Sequence, residues 1–225
     1  EEEVHVRGLR RPQAPNADDI ERHWLTHTPT QPWCETCVKR KANDLAHKSY
    51  ERKDALIPLV QFDDAEAGEE GRIGNFEFVV GNDLSTGSVW ATAIFQKGRE
   101  DPYTVASAVS WLTELGHWRF EVQAGGAPAE QAFIMAVRAK ALKDGVCGTV
   151  LTRQGERYNS QATGGAERTV QTVRKQFKCL MLATETRLKQ KITIDSEFLA
   201  WLPRHAAVLY SRYHGRADTK LTHYE

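Results

Sequence analysis

From position 56 onward the hydrophobic residues fall first into short runs and then into helical stripes, and that change of period predicts the elements. Residues 56–62 (Leu-Ile-Pro-Leu-Val-Gln-Phe) form an apolar run leading into Asp63-Asp64, which predicts a strand. Residues 76–81 and 88–95 predict two more strands, separated by the turn-forming residues 82–87. Over 103–115 the spacing becomes helical, with Val105, Val109 and Leu112 on one face and Gly116 placed to cap the C-terminus. A fourth strand is predicted at 119–123, a helix at 128–143 carrying Phe133, Ile134, Val137 and Leu142, and a short fifth strand at 148–152. Residues 153–165 read as a Gly- and Ser-bearing loop. The long helix predicted from Ala166 has an apolar stripe of Val170, Val173, Phe177, Leu180 and Leu188, and 196–213 predicts a last helix interrupted by Pro203. Three strands joined by tight turns, then alternating helices and strands, imply an α/β fold with a mixed sheet flanked by helices.

The first 50 residues are different. Residues 1–20 are charged, carry Pro12, Pro15 and Asn16, and read as a linker or tail. Residues 21–50 are poor in aliphatics and rich in His, Cys, Trp, Pro and Lys, too little for a core of their own. A core domain is therefore expected at 56–225, where the 40% hydrophobic content of the chain is put to use.

Thirty basic residues balance 30 acidic ones, so global charge does not argue for nucleic acid and local clustering must carry any such argument. No apolar run approaches the roughly 20 residues of a membrane span, and Glu1-Glu2-Glu3 does not read as a targeting peptide. The 4 cysteines, Cys34 and Cys37 close together and Cys147 and Cys179 apart, do not form a disulfide framework and fit an intracellular, reducing setting. Cys147 and Cys179 read as core thiols, Trp90, Trp111, Trp118 and Trp201 as packing residues, and His205 and His214 as structural.

Three groups of residues carry chemistry. His23-x3-His27 followed by Cys34-x2-Cys37 supplies four N and S ligands, the donor set of a closed, structural Zn²⁺ site, with His47 as an alternative to one of the histidines. A segment with too little core to fold alone gains its stability from such an ion. Asp63 ends an apolar strand, where a carboxylate is costly unless it binds something, while Asp64 points to the opposite face. Glu167 opens the long helix on a basic stripe: residues 167–191 contain seven Lys and Arg against two Glu. Arg168, Gln171, Arg174, Lys175 and Lys178 form a ridge suited to a phosphate backbone. Carboxylates brought together from distant parts of a chain hold Mg²⁺ or Mn²⁺ for phosphoryl transfer, and a third usually completes a two-metal site.

Over residues 21–225 the chain resembles retroviral-type integrases of LTR retrotransposons, closest to Copia-like elements. His23-Trp24-Leu25-Thr26-His27 with Trp33-Cys34-x2-Cys37-Val38-x2-Lys41 is similar to the zinc-binding segment ahead of their catalytic core. Val60-Gln61-Phe62-Asp63 resembles the first core strand with its catalytic Asp, and Ser160-x2-Thr163-Gly164-x2-Glu167-Arg168 resembles the family's Ser-x2-Asn-Gly-x2-Glu-Arg. Ala200-Trp201-Leu202-x2-His205-Ala206 and Thr222-His223-Tyr224-Glu225 resemble the end of the core. The resemblance implies a ribonuclease-H-like fold and two Asp and one Glu holding divalent metal. It further implies DNA ends and target DNA as partners, homo-oligomers, a nuclear site of action, and a chain belonging to a longer polyprotein.

One departure bears directly on the chemistry. The family's second Asp ends the fourth strand in a stretch like Ser-Asp-Asn/Gly-Glu-Pro-Ala, and this chain reads Gln123-Ala124-Gly125-Gly126-Ala127-Pro128-Ala129, with Gly125 in the Asp position. Glu121 lies about 13 Å back along the strand at roughly 3.3 Å per residue. Glu130 in the next helix is expected to reach the site only if that helix is displaced. Thr163 also replaces the family Asn. The expectation is an integrase core with impaired catalysis; the alternatives are a non-catalytic nucleic-acid-binding relic of such an element, or a ribonuclease-H-like nuclease that cuts without joining.

Overall fold

The computed structural model describes residues 15–41, 57–67, 76–94, 101–154, 160–214 and 222, with the backbone alone at 41, 154 and 160–164. His47, the residues after 222 and residues 155–159, part of the stretch expected to be a loop, lie outside the described residues. Two short helices come first, α1 (Ala17–Thr26) and α2 (Glu35–Lys41). The core then runs β1 (Leu59–Glu66), β2 (Glu77–Asp83), β3 (Val89–Ala93), α3 (Pro102–Leu115), β4 (Arg119–Ala124), α4 (Pro128–Lys143), β5 (Thr149–Gln154), α5 (Ser160–Leu188) and α6 (Glu197–Tyr213).

The five strands make one mixed sheet in the order β3-β2-β1-β4-β5. β1, β2 and β3 pair antiparallel, whereas β4 pairs parallel to β1 and β5 parallel to β4, the last two strands being reached through the crossover helices α3 and α4. Successive strand residues point to opposite faces, and each face has its own core. Val60, Phe62, Val79, Trp90 and Val122 pack with α3 and α4; Ala65, Phe78, Val80 and Ala91 pack with α5 and α6. Three rings, Trp90, Trp111 and Phe133, meet Phe62 edge-on with centroids 5.4–6.1 Å away, an arrangement that suits the ring quadrupoles.

Local signals explain most boundaries. Asn16 caps α1 by accepting from the Asp19 N–H at 2.7 Å, so α1 takes in the last residues of the stretch read as linker. Asp101 caps α3 ahead of Pro102, and Gly116 ends it with φ 69°. Four expectations are corrected. β1 continues to Glu66, because its antiparallel pairing with β2 carries past the point where its pairing with β4 stops at Gln61; Asp63 is therefore mid-strand. α5 starts at Ser160, so the residues read as loop up to 165 are helical and Glu167 lies two turns in, beyond the reach of the helix-terminal dipole. Pro203 is buried within a continuous α6. Trp118 and Trp201 are exposed, unlike Trp90 and Trp111.

At Gly81 a Cβ would meet Trp111 Cζ3 at 2.7 Å and Phe62 Cε1 at 2.9 Å, so the aromatic cluster closes over bare backbone. Gly81→Ala is expected to destabilise the fold by about 1–3 kcal/mol through overpacking, measured by denaturant unfolding.

The turn after β2 is held by Asp83. Burial pushes its carboxyl up, but hydrogen bonds from Thr86, His117 and Ser85 outweigh burial and hold it below the ordinary carboxylate value. Their closest approaches are 2.6 Å from Thr86 Oγ1, 2.9 Å from His117 Nε2 and 2.8 Å from Ser85 Oγ. A depressed folded pKa gives stability that is present above the unfolded value and lost as pH falls through the folded one. Asp83→Asn is therefore expected to cost about 1–3 kcal/mol at neutral pH, with the difference from wild type shrinking below about pH 4 in acid titrations followed by circular dichroism.

Candidate metal sites and nucleic-acid face

The His/Cys segment converges as its spacing implies. His23 and His27 lie one turn apart on α1, and His27 ends the helix in the left-handed region (φ 50°), its N–H bonding the His23 carbonyl at 2.7 Å. The chain turns back there and brings Cys34 to the head of α2, with Cys37 one turn further on. All four are buried, and their ligand atoms lie within 4.8 Å of one another. Cys37 Sγ is 3.3 Å from His23 Nε2 and 3.6 Å from His27 Nδ1, and Cys34 Sγ is 3.5 Å from His27 Nδ1. Zinc–sulfur and zinc–nitrogen bonds of about 2.3 and 2.0–2.1 Å at the tetrahedral angle place N and S about 3.5 Å apart, so the quartet fits Zn²⁺. Burial pushes the Cys34 thiol up, opposed by the Cys37 backbone N–H, and a cation at this centre would remove that cost.

Two residues fasten this segment to the core: Gln176, which the sequence pattern did not single out, and Cys179, read only as a core thiol. Cys179, fully buried on α5, packs against Cys34 and Cys37 beside Trp33. Gln176, one turn earlier and also buried, donates through Nε2 to the Thr26 carbonyl and accepts from Thr28 Oγ1 at 3.4 Å. Only their position three apart on a helix, Cys beside a polar residue on an otherwise apolar face, hinted at a second docked element.

The carboxylates lie at the other end of α5. Gly165 seats the helix on β1: a Cβ there would meet Gln61 Oε1 at 2.8 Å and Leu84 Cδ2 at 2.9 Å. Gln61 is itself tied to Gln123 of β4, Nε2 to Oε1 at 2.9 Å, inside the fold. Asp63 follows Gln61 on the same strand face and is half-buried, while Asp64 is exposed, as period two requires. The Asp64 N–H donates to Asp63 Oδ1 at 3.0 Å. Burial, then the charge of Glu130, push the Asp63 carboxyl up to about 6; the Asp64 N–H opposes them, and the charges of Asp64 and Glu167 add smaller upward effects. Asp63 and Glu167, far apart in sequence, are thus within electrostatic reach. Among the described residues no carboxylate group meets the close spacing of the His/Cys quartet.

The β1–β4 pairing ends at Gln61 with Gln123, and Gly125 lies just past the end of β4. Glu121 pairs with Leu59, at the far end of the overlap, and is out of reach. Thr163 is on α5 with its side chain outside the described residues.

On α5, Glu167, Arg168, Gln171 and Arg174 are exposed, whereas Lys175 and Lys178 are half-buried. Glu167, Gln171, Arg174 and Lys178 fall within about 60° of helix arc. The solvent-facing part of the basic ridge is therefore its N-terminal part, next to the carboxylates.

No family pattern and no curated protein matches the sequence. Solved structures match in fold. A chain of the simian T-cell lymphotropic virus intasome, solved in complex with PP2A regulatory subunit B56 gamma, gives a TM-score of 0.53 at 17% identity over 92% of this chain and 65% of that one. The catalytic core domain of HTLV-2 integrase in complex with magnesium, in its trimeric form, gives 0.51 at 14% identity over 76% of this chain and 97% of that one. The chain thus has the ribonuclease-H-like fold of retroviral integrase catalytic cores, and spans 65% of the length of the intasome chain.

Zinc-loaded protein is expected to carry one Zn²⁺ per chain by elemental analysis, and Cys37→Ser to lose it. Chelation should raise hydrogen exchange at residues 176–180, since α1 and α2 would no longer cover that face of α5. Unchanged protection there would show that the segment docks without metal.

Proposed function

We propose that the chain is the catalytic core of a retroviral-type integrase from a Copia-like LTR retrotransposon, with its zinc-binding segment docked on the core, acting on DNA ends. What supports this reading is the fold, with Asp63 on β1 and Glu167 on α5 within electrostatic reach of one another beside an exposed basic stripe. Bound Mg²⁺ or Mn²⁺ would polarise the scissile phosphate and activate water or a DNA 3′-hydroxyl. The half-buried Asp63, oriented by the Asp64 N–H, and the solvent-facing Glu167 are the residues to hold it. Burial first, then the charge of Glu130 and, more weakly, those of Asp64 and Glu167 raise Asp63, and a bound divalent cation would offset that cost.

Arg168 and Arg174 bind the phosphate backbone and Gln171 lies between them, positioning a DNA end over the carboxylates. The enzyme works as a homo-oligomer in the nucleus, where its target DNA is. Gly125 leaves the family's second ligand position bare, and catalysis is accordingly weaker than in a chain with Asp there.

The same glycine favours a second reading, a nucleic-acid-binding relic without chemistry. A Mn²⁺-dependent strand-transfer assay on DNA ends separates the two: joined products that disappear in Asp63→Asn support the integrase, binding without products supports the relic, and unjoined fragments alone point to a nuclease. In either DNA-binding reading, Arg168→Glu with Arg174→Glu is expected to weaken duplex affinity at least tenfold at moderate salt and to reduce the salt dependence by about two units of slope. Unchanged affinity in a titration would remove α5 from the DNA surface.

A further inference from the structure

Gln176 is 2% exposed on α5, beside Val173 and Phe177 of the core. An amide buried there costs free energy unless its oxygen and nitrogen are paired, so packing alone does not account for it. Its hydrogen bonds reach across to the zinc segment. Nε2 donates to the Thr26 carbonyl, and Oε1 accepts from Thr28 Oγ1 at 3.4 Å. The residue between those two is His27, a member of the His/Cys quartet.

His27 ends α1 in the left-handed region, with φ 50° and ψ 28°. A residue with a Cβ adopts that conformation at a cost and keeps it where its surroundings hold it. With the backbone turned this way, His27 Nδ1 faces both sulfurs, 3.5 Å from Cys34 Sγ and 3.6 Å from Cys37 Sγ. A right-handed residue here would continue α1 and send the following chain in another direction. Short local bonds bracket the turn: the Thr28 N–H donates to Thr26 Oγ1 and Thr26 Oγ1 to the Thr28 carbonyl, each at 3.2 Å, and Thr28 Oγ1 lies 3.3 Å from the Thr26 carbonyl. All of these stay within three residues. Gln176 is what ties the turn to the core, and its donation satisfies a carbonyl of the last turn of α1, where helix carbonyls lack partners of their own.

We infer that Gln176 is a positioning residue for the metal: by gripping the chain on both sides of His27, it holds this ligand in the left-handed turn that aims Nδ1 at the centre of the quartet. The core helix is then part of the zinc site. Metal affinity depends on a side chain that supplies no ligand atom and lies 150 residues from Thr26 in sequence. This rests on the quartet being a zinc site and is independent of the reading as an integrase. Groups that orient metal ligands typically contribute about ten- to a hundredfold in affinity.

The test uses protein loaded with Co²⁺ in place of Zn²⁺, whose visible absorption reports ligand geometry. Displacement of Co²⁺ by Zn²⁺ in the presence of a competing chelator gives the affinity. Gln176→Met keeps the length of the side chain and removes both hydrogen bonds. Thr28→Val removes the partner on the far side of His27 and leaves α5 untouched. Gln176→Met is expected to weaken Zn²⁺ binding by about tenfold or more and to change the Co²⁺ spectrum, and Thr28→Val to do both to a smaller degree. Wild-type affinity and spectrum in both variants would overturn the inference. So would a loss of affinity with the Co²⁺ spectrum unchanged, because Gln176 would then only fasten the segment to the core. Should Gln176→Met fail to fold, Thr28→Val decides on the same two readouts. If wild type takes up neither Co²⁺ nor Zn²⁺, the zinc reading of the quartet falls together with the inference.

Discussion

Everything in this molecule leans on one helix, and the helix is fixed by one side chain. Phe177 of α5 stacks on both Phe76 and Phe78, with centroids 5.7 and 5.8 Å away, and is fully buried under the sheet face that α6 also covers. Burying a phenylalanine between two others contributes several kcal/mol in area alone and aromatic pairing adds to it, enough to fix both the rotation and the height of α5. With Phe177 inward, Gln176 and Cys179 necessarily turn toward α1 and α2. Glu167, Gln171 and Arg174 necessarily turn toward solvent beside β1. The zinc segment and the carboxylate face are two consequences of the same packing.

The two ends of α5 solve opposite electrostatic problems. At the His/Cys end four neutral or weakly acidic donors are buried together, a state that costs little charge until a cation arrives and the thiols ionise. At the other end burial, and after it the charge of Glu130, raise the half-buried Asp63 carboxyl. Such a site is kept only because the surrounding packing over-determines it: Gly165 on Gln61, Gln61 on Gln123, and the register of β1 with β4 leave Asp63 nowhere else to go. The groups that hold the carboxylates in place are thus mostly uncharged, and none was conspicuous as a site residue.

What the amino-acid sequence determined by itself is whatever depends on neighbours along the chain. The hydrophobic period placed α4 at Pro128–Lys143 and α3 within a residue, because amphipathic spacing and caps at Asp101 and Gly116 are local. The His/Cys quartet was legible for the same reason: a turn of helix and a Cys-x2-Cys bend bring the four residues together. The tertiary structure alone decided the rest. Ser160–Gly165 carry Gly and turn-formers and favour a loop in isolation, yet the packing of α5 extends the helix through them. The Glu130 carboxylate folds back over Gly125 and caps α4, and no periodicity shows where the end of a long side chain comes to rest. Cys179 and Gln176 became part of the zinc segment's dock only when Phe177 chose which way α5 faces. Periodicity reports which residues are buried; which element they are buried against is fixed only when the elements pack.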